Sequence, residues 1–350
     1  MARKYIAETD ITAWLKELSG DNLIIAPVVE TGTVVYRPYT SGSEVELVNR
    51  PVSSPKEAVF PQTELLFTYK QDKTPEDPGR TKVDMKEATP DRATVFFGPR
   101  PCGTRGITMF DKVYNCGKQQ DTYYVTRREN TAFVTIACTR PDATCFCHSV
   151  NSGPADPDGS DVLLVPVQGG YVAEAITDKG TELLAYDLFS DAGKREQEAN
   201  AVIDKAREML GDPHDFTDAE SSLYKLFDDM EFWDEQAAKC INCGACTYLC
   251  PTCHCFNITD QTAGLSGRRI RTWDNCMSYE FTLEGSGHNP RPTKAHRLKN
   301  RLGHKFAYYP ENNEGLVACC GCGRCIERCP SGVDIRAIVL AAKERSDVQE

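Results

Sequence analysis

The 350-residue sequence contains no run of about 18 or more apolar residues, so nothing in it reads as a membrane span. Its longest apolar stretches, such as Asn22 to Val29 and Ile335 to Ala342, are the size of single strands or helices. The first residues, MARKYIAETDITAW, lack the apolar centre of a secretory leader, and a cytoplasmic protein is the expectation. A basic surplus is missing too: the net charge is −11, which argues against a dominant nucleic-acid role. No G-x-G-x-x-G follows a strand pattern and no G-x-x-x-x-G-K-[ST] occurs, so the chain displays no dinucleotide or nucleotide site. No Ser–His–Asp or HExxH arrangement stands out, and substrate chemistry is expected elsewhere.

What the chain has in excess is cysteine. There are 17, an odd number that disulfides within one chain cannot use up. Twelve lie between Cys240 and Cys329. So many thiols in a reducing compartment point to metal.

Apolar content of 40% and charged content of 26% fit a globular chain, and the length fits about two domains. Ile11, Trp14, Leu15 and Leu18 have helical spacing and end at Ser19-Gly20. Leu23 to Val29, Thr33 to Tyr36, Thr94 to Gly98 and Thr131 to Ala137 read as strands. Val162 to Val167 and Tyr171 to Ile176 flank Gly169-Gly170 as a hairpin, after a loop over 151–161. Residues 70–92, polar and proline-rich, read as an exposed loop. Helical composition covers 191–210 and 217–239, and a last helix runs from Val333 to Arg345. The expected organisation is an α/β (or α+β) N-terminal domain over 1–190, a helical linker over 191–216, and an all-α, helical-ferredoxin-type dicluster domain over 217–350.

Two stretches carry the chemistry. Cys240-x2-Cys243-x2-Cys246-x3-Cys250-Pro251 and Cys319-x2-Cys322-x2-Cys325-x3-Cys329-Pro330 both follow the bacterial ferredoxin run. Three thiolates two residues apart wrap a backbone turn round one face of a cubane. The fourth, ahead of a proline, points to the neighbouring cluster. Gly244, Gly321 and Gly323 permit the tight turns. The ferredoxin crossing rule, carried over, assigns Cys240, Cys243, Cys246 and Cys329 to one [4Fe–4S] cluster, and Cys319, Cys322, Cys325 and Cys250 to a second. Structural zinc fits poorly, because zinc sites usually bring together cysteine pairs a dozen or more residues apart.

SPKEAVFPQTELLF (54–67), FGPRPCGTRGITMFDKVY (97–114) and TCFCHSVNSGP (144–154) resemble the N-terminal half of the sulfhydrogenase beta subunit family. CINCGACTYLCPTCHCF (240–256), RTWDNCM (271–277), GHNPRPTKAHRLKNRLGHKF (287–306) and CCGCGRCIERCPSGVDIR (319–336) resemble its C-terminal half. The architecture is also similar to that of the dicluster iron–sulfur subunit of anaerobic sulfite reductase and of flavin-oxidoreductase subunits feeding heterodisulfide reductase. One departure is Gly103, where the family usually has Asp after Pro-Cys. The resemblance implies an electron-transfer subunit. Its partners would be a flavin-containing subunit that oxidises NAD(P)H and a terminal subunit of hydrogenase, sulfite reductase or heterodisulfide reductase type, with no nucleic acid and no membrane.

Cys102, Cys138, Cys145 and Cys147 form the best remaining four-thiol set. Cys102 is placed in a Pro-Arg-Pro-Cys-Gly turn after one strand and Cys138 at the end of another, and neighbouring strand ends would bring the four together. Three readings stand: a third [4Fe–4S] cluster, which is preferred, a set of buried reduced thiols, or a zinc ion. Cys116, Cys253, Cys255, Cys276 and Cys320 are left over, and His148 and His254 read as neighbours or surface groups. Thr144-Cys145-Phe146-Cys147 echoes Thr252-Cys253-His254-Cys255, too briefly to indicate duplication.

Arg268, Arg269, Arg271, Arg291, Lys294, Arg297, Lys299, Arg301 and Lys305 make the one strongly basic region. It reads either as a solvated face or as compensation for anionic clusters. The preferred function is an electron relay. The alternatives are direct reduction of a small oxidant such as sulfite, and a cluster-containing redox sensor.

Overall fold

A computed structural model describes residues 3–74, 76–90 and 92–348. Twelve strands occur among them: β1 (Lys4–Ala7), β2 (Leu23–Glu30), β3 (Thr33–Pro38), β4 (Thr63–Thr74), β5 (Asp77–Glu87), β6 (Thr94–Phe97), β7 (Thr131–Ile136), β8 (Val162–Val167), β9 (Gly170–Ala175), β10 (Ser190–Asp191), β11 (Phe256–Ala263) and β12 (Ser266–Trp273). They form two sheets, one of eight strands in the order β10-β1-β9-β8-β7-β6-β2-β3 and one of four in the order β11-β12-β4-β5.

The centre of the large sheet is parallel, with β2 beside β6, β6 beside β7 and β7 beside β8. TAFVTI in β7 is buried at every position, as a strand covered on both faces must be. Alternation then sorts the side chains. Val95, Phe97, Val134 and Ile136 meet Trp14 and Leu15 of the helix Ile11–Leu18 on one face. Phe96 and Phe133 meet Ile107, Phe110 and Tyr124 of two helices, Pro101–Tyr114 and Thr122–Asn130, on the other. The stretch read as a linker contributes the helix Arg195–Met209, whose Ala199 and Ile203 pack on Leu163 and Val165 of β8.

The C-terminal half is not all helix. Its core gathers Trp233, Leu298, Leu302, Phe306, Ile338 and Val339, together with Phe146 and Val150 from the N-terminal half. The chain between the two motifs also turns out as the hairpin β11–β12, and β12 pairs with β4. The loop expected over 70–92 is instead the end of β4 and all of β5. Its residues are polar because neither face of this small sheet lies under the main core, so hydrophobic patterning could not reveal the strands. Burial at the base fixes the pairing: Glu64 of β4 and Arg271 of β12 form a buried ion pair, with Arg127 on the other oxygen of Glu64 at 3.0 Å. No helix among the described residues is long and apolar enough to cross a membrane.

Candidate metal centres

The first motif runs through an extended turn into the short helix Ala245–Tyr248. Cys240, Cys243 and Cys246 line one cavity together with Cys329 of the second motif, with Arg301, Met277 and Val333 in its wall. Cys325 reaches the same wall. Backbone groups point at the sulfurs. The Asn242 N–H donates to Cys240 Sγ at 3.4 Å and the Val333 N–H to Cys329 Sγ at 3.2 Å. Burial pushes the Cys329 thiol up, and the hydrogen bonds from Val333, Ser331 and Gly332 bring it below its ordinary value.

The second set is deeper. Cys250, Cys319 and Cys322 are buried, and the charges of Cys322, Cys319 and Cys250 all act on Cys325. Burial raises the Cys319 thiol to about 12 against the pull of Lys305. Gly321 and Gly323 both have positive φ, near 62° and 70°. A Cβ at Gly321 would stand 2.5 Å from the Cys147 backbone, and one at Gly323 would stand 2.4 Å from the Thr144 carbonyl oxygen. Only glycine lets the second motif lie directly on the 144–147 loop.

That loop holds half of the N-terminal set. Cys102 is not in a turn but in the first helical turn of Pro101–Tyr114, where Pro101 fits because its missing N–H has no intrahelical partner to lose. Cys138 follows β7, its N–H bonded to the Pro154 carbonyl at 2.7 Å. Cys102 and Cys138 thus stand beyond the carboxyl ends of adjacent parallel strands, where open α/β sheets place their ligand sites. Burial raises the Cys147 thiol, and Cys102, Cys145 and Cys138 lie near enough for their charges to raise it further.

Cations surround these thiols. Lys305 Nζ donates to Cys250 Sγ at 3.4 Å, Thr252 Oγ1 at 2.7 Å and the Ala318 carbonyl at 2.9 Å. Arg301 reaches Cys253 Sγ at 3.3 Å and the Cys246 carbonyl at 2.8 Å. The α-helix Lys294–Gly303 passes into a π-helical turn, His304–Tyr308, and Arg301 and Lys305 face the sulfurs from this continuous helical stretch. Lys56 donates to the Thr247 and Cys253 carbonyls at 3.2 and 3.1 Å. Arg50 approaches Cys145 Sγ at 3.7 Å. Lys56, Arg301, Lys305 and Arg324 are 2%, 2%, 4% and 1% exposed. Among the described residues none of these four has a carboxylate within ion-pair distance. Burying Arg301, Lys305 and Arg324 without counter-charge is prohibitive, and the thiols they reach supply it, whereas burial lowers the pKa of Lys56, whose ammonium bonds carbonyls. A [4Fe–4S] cluster on four thiolates is anionic and suits such surroundings.

The basic region therefore divides. Arg301 and Lys305 serve the thiols. Arg268 and Arg269 lie on the exposed hairpin, where Arg269 pairs with Asp260 at 2.7 Å, and Arg271 is paired with Glu64 and Asp121. Lys294, Arg297 and Lys299 donate to backbone carbonyls. Of the leftover thiols, Cys253 acts on Cys250, Cys255 on Cys276 and Cys320 on Cys322, and Cys116 is exposed. His254 packs among Phe110, Tyr114 and His304, and burial lowers it to about 4. The ring nitrogens of His148 are buried without a hydrogen-bond partner among the described residues. Sequence reasoning passed over Arg50, Lys56 and Arg324, although Arg324 stands inside the second motif.

Comparison with known proteins agrees with this chemistry. The family described as a 4Fe-4S dicluster domain matches residues 239–333. Sulfhydrogenase 2 subunit beta of Pyrococcus furiosus is 29% identical over 315 residues, which cover 89% of each chain. No solved structure matches. The chain is thus similar to the sulfhydrogenase beta subunit over most of its length, and its C-terminal half matches a 4Fe-4S dicluster domain.

Proposed function

We propose that this chain is an electron-relay component of a multisubunit oxidoreductase, holding [4Fe–4S] clusters at all three thiol sets. Cys240, Cys243, Cys246 and Cys329 would hold the first, Cys319, Cys322, Cys325 and Cys250 the second, and Cys102, Cys138, Cys145 and Cys147 a third. The observation that carries the reading is the set of three buried cations, Arg301, Lys305 and Arg324, that reach thiols and no carboxylate. Such clusters supply reversible one-electron exchange, and the protein sets their spacing, potential and access. Here the chain's own groups do this with backbone N–H bonds to Cys240 and Cys329, with Lys305 beside Cys250, and with Arg301 between the two C-terminal sets. Cys243 is exposed, which gives the first set a face toward solvent or a partner. The relative's name places it in a hydrogenase. By that likeness the partners would be a flavin subunit that oxidises NAD(P)H and a terminal hydrogenase or reductase subunit.

Anaerobically prepared protein is expected to contain about twelve iron atoms per chain, three cubanes' worth. About eight would remove the third cluster. Cys243→Ala should abolish transfer between partner subunits while each partner's half-reaction with an artificial dye survives. Loss of that half-reaction in a fully assembled complex would overturn the pure relay.

A further inference from the structure

The second thiol set and the N-terminal set share a buried guanidinium. Arg324 lies between Cys322 and Cys325 in sequence and is 1% exposed. Its Nε donates to the Val52 carbonyl at 3.1 Å and its Nη2 to the Pro51 carbonyl at 3.2 Å. Its Nη1 stands 3.8 Å from Cys102 Sγ. Two loop carbonyls from the N-terminal half thus hold a C-terminal arginine beside an N-terminal thiol. Cys322 stands two residues before Arg324 in the same motif, and the thiols of Cys322 and Cys102 both act on the guanidinium electrostatically.

Arg50 supports the same junction from the opposite half. Its Nη1 lies 3.7 Å from Cys145 Sγ and also bonds the Cys322 carbonyl, while its Nη2 is neutralised by Glu327 and by Asp142, the latter at 2.9 Å. The first set has a different neighbour. Arg301 bonds the Cys246 carbonyl, and the thiols acting on it are Cys246, Cys253, Cys325 and Cys250. Each junction between sets therefore has its own buried arginine: Arg301 between the first and second, Arg324 between the second and the N-terminal.

Resting on the relay reading above, we propose that Arg324 is a positioning residue shared by two clusters, one cation that raises the reduction potential of both the second and the N-terminal cluster and places the N-terminal site at the end of the line. A fixed positive charge between two anionic groups stabilises the reduced form of each and offsets their mutual repulsion. Arginine suits the place because its planar fork serves the two carbonyls and the sulfur at once, which an ammonium on a flexible stem does not.

The test uses the full chain, prepared anaerobically, with iron quantitation and EPR-monitored redox titration of the wild type, R324Q, R324K and R50Q. Signals are assigned from Cys243→Ala, which lacks the first cluster, and Cys102→Ser, which lacks the N-terminal one. R324Q should keep its iron. The one-electron reduction constants of its second and N-terminal clusters should fall at least tenfold, or about 59 mV, while the first cluster stays put. R324K should recover more than half of that shift. R50Q should lower the same two constants by about threefold, because Glu327 and Asp142 already offset part of its charge. Unchanged potentials in a fully loaded R324Q, or equal shifts at all three clusters, would overturn the proposal. Should R324Q lose its clusters, R50Q decides, and unchanged potentials there overturn it. A wild type without cubane signals defeats the relay reading itself, an outcome separate from unmoved potentials in loaded protein.

Discussion

The C-terminal and N-terminal thiol sets reach a similar surrounding by opposite routes. Cys240 to Cys250 and Cys319 to Cys329 are compact runs whose spacing shapes the backbone turn that presents the sulfurs. Cys102, Cys138, Cys145 and Cys147 come from a helix start, a strand end and a loop, and are placed by the eight-stranded sheet and by the second motif beneath the 144–147 loop. A site of the first kind draws most of its thiols from one local run, and one of the second kind depends on the stability of a whole layer. Iron retention should therefore respond differently in the two halves.

The largest contrast is expected between two cysteine substitutions. Cys322→Ala should empty the second set, and the shared wall at Cys325 should carry the damage to the first. Cys102→Ser should remove about four irons and leave both C-terminal cubane signals. Iron counts with EPR on both variants check this, and loss of all signals in Cys102→Ser would erase the contrast.

Smaller, but aimed at the same difference, is Phe133→Ala. Phe133 is fully buried on β7, the strand that delivers Cys138, and truncation should cost about 3–5 kcal/mol. Iron should leave the N-terminal set first as urea is raised, with the C-terminal signals outlasting it. Simultaneous loss would mean that the halves melt as one unit.

The mildest probe is acid. His254 and His304 are held at about 4, chiefly by burial, against an ordinary value of 6.5. Below about pH 6.5 the unfolded chain binds protons that the folded chain refuses, so stability falls from about pH 6.5 down to about 4. Both rings adjoin the C-terminal sets. His254→Phe should flatten this slope in denaturant titrations across that window, and an unaltered slope would assign the acid response to other groups.

The same contrast explains what could be read in advance. The two motifs announce themselves because ligand spacing is local. The N-terminal quartet was legible through its strand ends, although Cys102 belongs to a helix whose Pro-Cys-Gly opening imitates a turn. The end of β4 and all of β5 were hidden because their residues are polar and carry turn-like composition. Arg50 and Lys56 were invisible, since nothing in SPKEAVF or its surroundings signals that the fold will carry Arg50 to the Cys145 thiol and Lys56 to the Cys253 carbonyl. Of the nine basic residues that stood out by density, only Arg301 and Lys305 reach sulfur, and composition cannot tell a cation facing a thiol from one capping a carbonyl.

The pairing of β4 with β12 has a consequence for how the molecule is made. β4 ends at Thr74 and β12 begins at Ser266, so during synthesis the first hairpin emerges from the ribosome long before the strand that covers its edge. Until then it exposes an unsatisfied row of backbone donors and acceptors, open to adventitious strand addition. Nascent chains halted before residue 256 should accordingly need chaperone protection, and a gene split between the halves would yield two fragments that each carry an orphaned edge.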